Sequence, residues 1–185
     1  MLSSPGPDLL SLSAGLLIGR VVLGGLMMGH GAQKLLGWFG GYGLRATGGF
    51  FESLGFRPGH LFAAMAASTE MLSGLLLLLG LFTPVAAALM ISVMIVAAGS
   101  VHWKGGVFAA TNGIEVPLLY GVGALALALT GAGRFSLDAL LGTVRLFTPT
   151  VTLLVLAVGI AGGLANLALR RPAPAPAAAA ATQGA

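Results

Sequence analysis

Five apolar runs divide the chain: Leu10–Gly31, Leu61–Gly80, Val85–Val101, Val116–Thr130 and Val151–Leu169. A bilayer's hydrocarbon core takes about 20 apolar residues of helix. Each run therefore predicts a transmembrane helix, with Val116–Thr130 the shortest and extended by a turn at one end. Thr83-Pro84 predicts a tight hairpin between the second and third spans, which makes them antiparallel neighbours. The stretch Gly37–Gly59 is long, rich in glycine and aromatics, and carries Arg45, Glu52 and Arg57. Within it, Thr47–Leu54 predicts a short amphipathic helix lying at the interface. A second short helix is expected after Arg134. There Ser136 can cap the helix, Asp138 falls in its first turn, and Leu137, Leu140, Leu141 and Val144 supply one apolar face. From Arg170 onward, Pro-Ala alternation and an Ala run offer nothing to bury, and that tail is expected to be disordered.

Composition agrees with the pattern. Of the 185 residues 57% are hydrophobic and only 8% charged, against roughly 25% charged in soluble domains. Mean hydropathy is +0.98. A water-facing surface of this size cannot be assembled from so few charges, so the soluble classes are excluded. A net charge of +4 from nine Lys and Arg is too small for a nucleic-acid surface, and no nucleic-acid partner is expected. The absence of cysteine excludes disulfides and thiol chemistry by this chain. No dinucleotide fingerprint or phosphate-binding loop occurs. The first run is not read as a cleaved signal peptide, because Met1–Leu10 has no Lys or Arg and Arg20 interrupts the apolar stretch. With five spans, Lys34, Arg45, Arg57, Lys104, Arg170 and Arg171 fall on one side and only Arg134 and Arg145 on the other. The positive-inside rule then places the N-terminus outside and the C-terminus in the cytoplasm.

Two charges fall inside spans, where a mid-helix charge costs about 2.5–3.5 kcal/mol. At about 1.5 Å per residue, Arg20 lies about 16 Å from Gly31, and Glu70 about 14 Å from Leu61. Taking Gly31 and Leu61 as level, the two charges share a depth on antiparallel helices, and an intramembrane Arg20–Glu70 ion pair is expected. Gly24, Ala66, Ala67, Ser73 and Gly74 are small enough to let the backbones approach. Such a pair is either a clamp that fixes helix pairing or a site for a polar ligand or a proton. Gly15-x-x-x-Gly19 and Gly25-x-x-x-Gly29 fit close helix packing, within the bundle or between protomers.

A second constellation gathers at one membrane face. His30 closes the first span, His60 opens the second, His102 closes the third, and Glu115 opens the fourth after Asn112-Gly113. Lys34 follows His30 by one turn. His30, Lys34, His102, Asn112 and Glu115 make a candidate quinone or proton site. The plainer reading is that polar residues collect wherever helices leave a bilayer. No His-x-x-x-His spacing occurs, and no metal is expected. Trp38, Phe39, Tyr42, Phe50, Phe51, Phe56, Phe62, Trp103 and Phe108 fall at the same face, an asymmetry that suggests a capped vestibule over the helix ends.

Arg20 in the first span, His30-Gly31-Ala32-Gln33-Lys34-Leu35, Glu70 in a small-residue second span, Asn112-Gly113-x-Glu115, and Gly131-Ala132-Gly133-Arg134-Phe135-Ser136-Leu137-Asp138 occur in this order. Together they resemble the DoxX family over roughly Ala14–Gly142. The resemblance implies an all-α integral membrane helical bundle with a four-helix core over 10–147. Residues 148–169 add a fifth transmembrane helix and 170–185 the Ala/Pro-rich tail. It also implies a bacterial inner-membrane protein, a quinone-interacting membrane subunit of a redox or oxidative-stress complex. On that reading the chain has no covalently bound cofactor and works with quinone, membrane lipid and a soluble redox partner, with homo-oligomers open to it. The alternative is a non-catalytic scaffold or lipid-binding bundle that recruits partner proteins.

Overall fold

The computed structural model describes residues 9–171, so the tail expected to be disordered lies, beyond Arg171, outside the described residues. The chain is an all-α bundle. Its helices are α1 (Leu9–Leu35), α2 (Gly43–Ser53), α3 (Gly59–Leu79), α4 (Thr83–Ala97), α5 (Glu115–Thr130), α6 (Leu137–Leu141) and α7 (Pro149–Ala168). Beyond Ala97, α4 runs on through a wider π-helical turn at Ala98–His102 and a tighter 3-10 turn at Trp103–Gly105. Four segments among the described residues are long and apolar enough to cross a membrane: α1, α3, Thr83–Gly105 and α7. The fourth expected span, α5, is apolar but only 16 residues long, about 24 Å at the helical rise. Outward-facing side chains such as Ile18, Leu119 and Val158 are 65%, 64% and 72% exposed, as befits a surface that meets lipid. The chain is a multi-pass membrane protein.

Glycine sets the helix spacing. A Cβ on Gly24 would stand 2.5 Å from the Gly74 carbonyl oxygen and 2.8 Å from the Leu78 nitrogen. One on Gly31 would stand 2.8 Å from the Ala67 carbonyl oxygen. These contacts fix the register of antiparallel α1 and α3, with Arg20 level with the end of α3 near Gly80 and Glu70 level with His30. On the other side of the bundle α7 lies against α4, where Gly159 meets Ala88 and Gly163 meets Ser92. The fifth span is thus built into the bundle rather than appended, and α4 contacts α3, α5 and α7. By contrast Gly15, Gly19, Gly25 and Gly29, the spacings singled out in the sequence, meet nothing within 4 Å. They do not pack within the bundle. Their face of α1 also carries exposed Ile18, Val22 and Leu26.

The short elements close the two ends. At one end, Gly80 ends α3 in the left-handed conformation and Pro84 opens α4, which gives the expected hairpin. Ser136 caps α6, its hydroxyl accepting from the Ala139 N–H at 3.1 Å. At the other end, α2 leads into α3, and the C-terminus of α7 arrives beside it, with the Arg171 N–H donating to the Gly55 carbonyl at 2.9 Å. α1 therefore begins at one end of the bundle and α7 finishes at the other, as an odd number of crossings requires. Aromatics do gather at the α2 end, but Trp38, Phe39, Tyr42, Trp103 and Phe108 are 60% to 87% exposed. They form a belt at the surface, and only Phe56 is fully buried, so the expected cap over a vestibule is not built.

Candidate functional site

The expected Arg20–Glu70 pair does not form. Glu70 pairs instead with Lys34, whose Nζ lies 2.8 Å from Oε1 and 2.7 Å from Oε2. The error lay in depth. α1 continues through Leu35 rather than ending at Gly31, and the glycine contacts slide α3 along it. Arg20 and Glu70 are consequently separated by about ten residues of helix, about 15 Å at the helical rise. The four extra residues of α1 carry Lys34 to Glu70.

Around that pair the structure gathers residues from three spans. Lys34 and His30 come from one edge of α1, Glu70 from α3 and Tyr120 from α5. Glu70 is buried, at 3% exposure, while the Lys34 side chain retains 28%. Two N–H groups of Lys34 point at the carboxylate, and the third makes only a long bond, 3.4 Å, to the His30 carbonyl. The His30 ring stands edge-on to Tyr120 with centroids 5.8 Å apart. Tyr120 is 8% exposed, and its hydroxyl makes no hydrogen bond among the described residues. Nothing in the sequence marked Tyr120, which sits in a uniformly apolar run; its neighbour across the helix interface is visible only once α5 is placed beside α1.

Two concavities flank this cluster. A cleft of about 410 Å³ between the end of α1 and α2 is lined by Lys34, Tyr42, Thr47, Phe50 and Phe51. Across Gln33, which lines both, a more apolar groove of about 580 Å³ runs along α1 past His30, Trp38, Phe39 and Met71. Both volumes are of the size that holds small ligands.

The remaining predicted residues form a separate set. His102 Nδ1 lies 3.1 Å from the Asn112 carbonyl, and the Glu115 carboxylate accepts the Ala109 N–H at 2.7 Å. Asn112 takes a left-handed backbone conformation (φ 60°). These three residues tie up the turn between α4 and α5. They share an end of the bundle with His30 and Lys34, yet among the described residues no hydrogen bond or ion pair joins the two sets. The five-residue site is accordingly two sets, of which the loop set bonds backbone through His102 Nδ1 and Glu115 Oε2.

Arg20 has its own cluster at the opposite end. It is fully buried, and Nη1 donates to the Leu77 and Leu78 carbonyls, each at 3.3 Å, while Nη2 donates to the Phe135 carbonyl. Only its Nε lacks a partner among buried side-chain polar atoms of the described residues. Gly80 leaves room for it: a Cβ there would collide with the guanidinium. Nearby Asp138, 2% exposed, accepts from the Phe82 N–H at 2.8 Å, and from the Thr83 N–H and hydroxyl at 3.0 and 2.8 Å. The Thr143 hydroxyl adds a fourth bond, and the Asp138 N–H donates to the Gly80 carbonyl. A cation thus satisfies the free carbonyls at the end of α3 and an anion the free N–H groups at the start of α4, the ends of helices that each suits.

Residues 15–103 match the family model DoxX. The match runs from α1 through the π-helical turn after α4, ending at Trp103, and includes Arg20, His30, Lys34 and Glu70, whereas Tyr120 and Asp138 lie beyond it. No curated protein and no solved structure matches the chain.

Proposed function

From a chain whose residues 15–103 belong to the DoxX family, and which crosses the membrane several times, we propose a quinone-interacting membrane subunit of a redox or oxidative-stress complex. The observation that carries the reading is the Lys34–Glu70 pair opening onto the aromatic cleft beside α2. A quinone is a lipid-soluble ring with two polar oxygens, and the residues present fit one. Tyr42, Phe50 and Phe51 offer faces for the ring, the groove past Trp38 and Phe39 offers apolar walls for an isoprenoid tail, and Lys34 offers a donor.

Lys34 is held in place by Glu70, which occupies two of its N–H groups and leaves the weakly bonded third free to turn into the cleft. Glu70 supplies a counter-charge at a depth where an unpaired cation would be expelled. His30 and Tyr120 add groups able to hold or pass a proton at the inner edge of the pair. Bound quinone would supply the electron acceptor, taking two electrons and two protons to become quinol. The electrons would come from a soluble redox partner, since the chain has no cysteine to donate them. Six basic residues at the α2 end against Arg20, Arg134 and Arg145 at the α6 end support an orientation with the N-terminus outside, in what we read as a bacterial cytoplasmic membrane.

The test is mass spectrometry of small molecules extracted from protein purified out of native membranes in mild detergent, alongside a Lys34→Met/Glu70→Leu variant. Stoichiometric quinone in the wild type, absent from the variant, is the expected result. Bulk phospholipid alone in both would overturn the redox reading. The second reading, a non-catalytic scaffold, is favoured by the Arg20–Asp138 end, where buried charges are given over to holding the backbone.

A further inference from the structure

The corner between α2 and α3 collects arginines that the site above does not use. Arg170, just past the end of α7, donates through Nε to the Leu54 carbonyl at 2.5 Å, and the Arg171 N–H bonds the Gly55 carbonyl. Two residues beyond Gly55 stands Arg57. Three arginines are thus brought to one short turn by segments 116 residues apart in sequence. Arg57 and Arg171 are exposed, and the side chains of both make no hydrogen bond or ion pair among the described residues. The docking of Arg170 uses Nε and leaves its two terminal NH2 groups free. Glu52 is the nearest acidic residue in sequence, and its Oε1 is taken by the Gly59 N–H at 3.1 Å. The described residues hold a single ion pair, Lys34–Glu70, so none of the three arginines is paired with a carboxylate, and at this corner three cations stand against the single Glu52 anion.

Three cations against one carboxylate leave an excess of positive charge, and a multidentate anion placed among them would offset it and accept several charge-assisted hydrogen bonds. Beside the same turn runs an apolar ridge. Phe50, Phe51, Phe56 and Phe62 stack in succession with centroids 6.4, 5.8 and 5.4 Å apart. The corner also lies where α7 leaves its apolar stretch at Leu169 and α2 lies across the helix ends, which is headgroup level. We propose that Arg57, Arg170 and Arg171 bind the phosphate of an anionic phospholipid, whose acyl chain lies along exposed Phe50 and half-buried Phe51 and Phe62, with buried Phe56 beneath them. The chemistry at the guanidinium groups is that of a phosphate anion, and the adjoining ridge selects the lipid-borne form over free phosphate. The arginines take no part in the quinone reading, although Phe50 and Phe51 also line the cleft it uses, and the substitutions below leave both phenylalanines in place.

The experiment uses the full chain in detergent, titrated with phosphatidylglycerol, with phosphatidylcholine, and with inorganic phosphate, adducts being counted by native mass spectrometry. Preferential retention of phosphatidylglycerol is expected, undisturbed by millimolar inorganic phosphate. In Arg57→Gln/Arg171→Gln retention should fall about 30-fold, taking about 1 kcal/mol for each interfacial cation. Neither side chain bonds another of the described residues, so folding is not at stake. Arg134→Gln/Arg145→Gln, at the opposite end, should change nothing. Equal retention of the two lipids, displacement by inorganic phosphate, or equal loss in the two variants would each overturn the proposal.

Discussion

The two ends of the bundle both bury charge, and they bury it differently. At the α2 end, Lys34 and Glu70 satisfy each other, side chain to side chain, with the ammonium still in reach of a cleft. At the α6 end, Arg20 and Asp138 satisfy backbone: carbonyls of Leu77, Leu78 and Phe135 for the one, N–H groups of Phe82 and Thr83 for the other. A side-chain pair can be removed together without leaving orphans. A charge bonded to backbone cannot, because the peptide groups it served stay behind. The closed end therefore reads as structure, and the open end is where a ligand can exchange for an internal bond.

The largest effect should follow from Arg20. Arg20→Met is expected to lower stability in detergent by about 4 kcal/mol, the range for removing one partner from a buried charged network. Arg20→Lys should recover little, since one ammonium lacks the planar fork that reaches three carbonyls. Equilibrium unfolding monitored by circular dichroism would check both. A fully stable Arg20→Lys protein would mean that only charge matters at this end, and the contrast drawn above would fail.

Next in size is the open end. Lys34→Met alone leaves the Glu70 carboxylate buried and unpaired, and about 3 kcal/mol should be lost. Lys34→Met/Glu70→Leu should return to within about 1 kcal/mol of wild type, as buried pairs replaced by apolar residues commonly do. The matching double variant of Arg20 and Asp138 to apolar residues should stay as unstable as Arg20→Met. The coupling energy from each cycle separates the ends quantitatively, and equal recovery at both would erase the distinction.

How much of this was legible follows from which signals are local. Apolar run length gave five helices, the Thr83-Pro84 hairpin and the short helix capped by Ser136, because each depends on neighbours in sequence. Arg20 and Glu70 were visible as buried charges for the same reason. Their partners were not, because pairing depends on helix register, and register is set by where Gly24, Gly31 and Gly74 let backbones touch. The abundance of glycine hid that. Gly15-x-x-x-Gly19 and Gly25-x-x-x-Gly29 have the familiar spacing but face outward, while the contacts that decide the fold use Gly24 and Gly31, seven residues apart. Tyr120 was hidden by its apolar surroundings. Asp138 was placed in the first turn of α6, where its carboxylate instead caps α4, a helix that begins 55 residues earlier.

Helix register is open to the same unfolding assay. Gly24→Ala puts a methyl group 2.5 Å from a backbone oxygen of α3, which no rotamer change can relieve. A loss of about 1–3 kcal/mol is expected, as for overpacked cores. Gly19→Ala, with nothing within 4 Å, should leave unfolding unchanged or slightly improved, given the helix preference of alanine. Because Gly24 sits between the two charge clusters, Gly24→Ala should weaken both ends together, unlike the variants above.

The smallest expected effect tests whether the closed end acts as a unit. Ser136 caps a helix of five residues, too short to persist on its own. Its hydroxyl accepts the Ala139 N–H and donates to the Gly133 carbonyl at 2.6 Å, one residue before Arg134 and two before the Phe135 carbonyl that Arg20 uses. Taken alone, Ser136→Ala should cost about 1 kcal/mol, the usual value of a lost N-cap. Made in the Arg20→Met background it should cost less, because the segment it orders has already lost its anchor. That shortfall, read from the double variant in the same unfolding assay, measures how far capping and charge burial are one interaction. Strict additivity would show that α6 folds onto the bundle without help from Arg20.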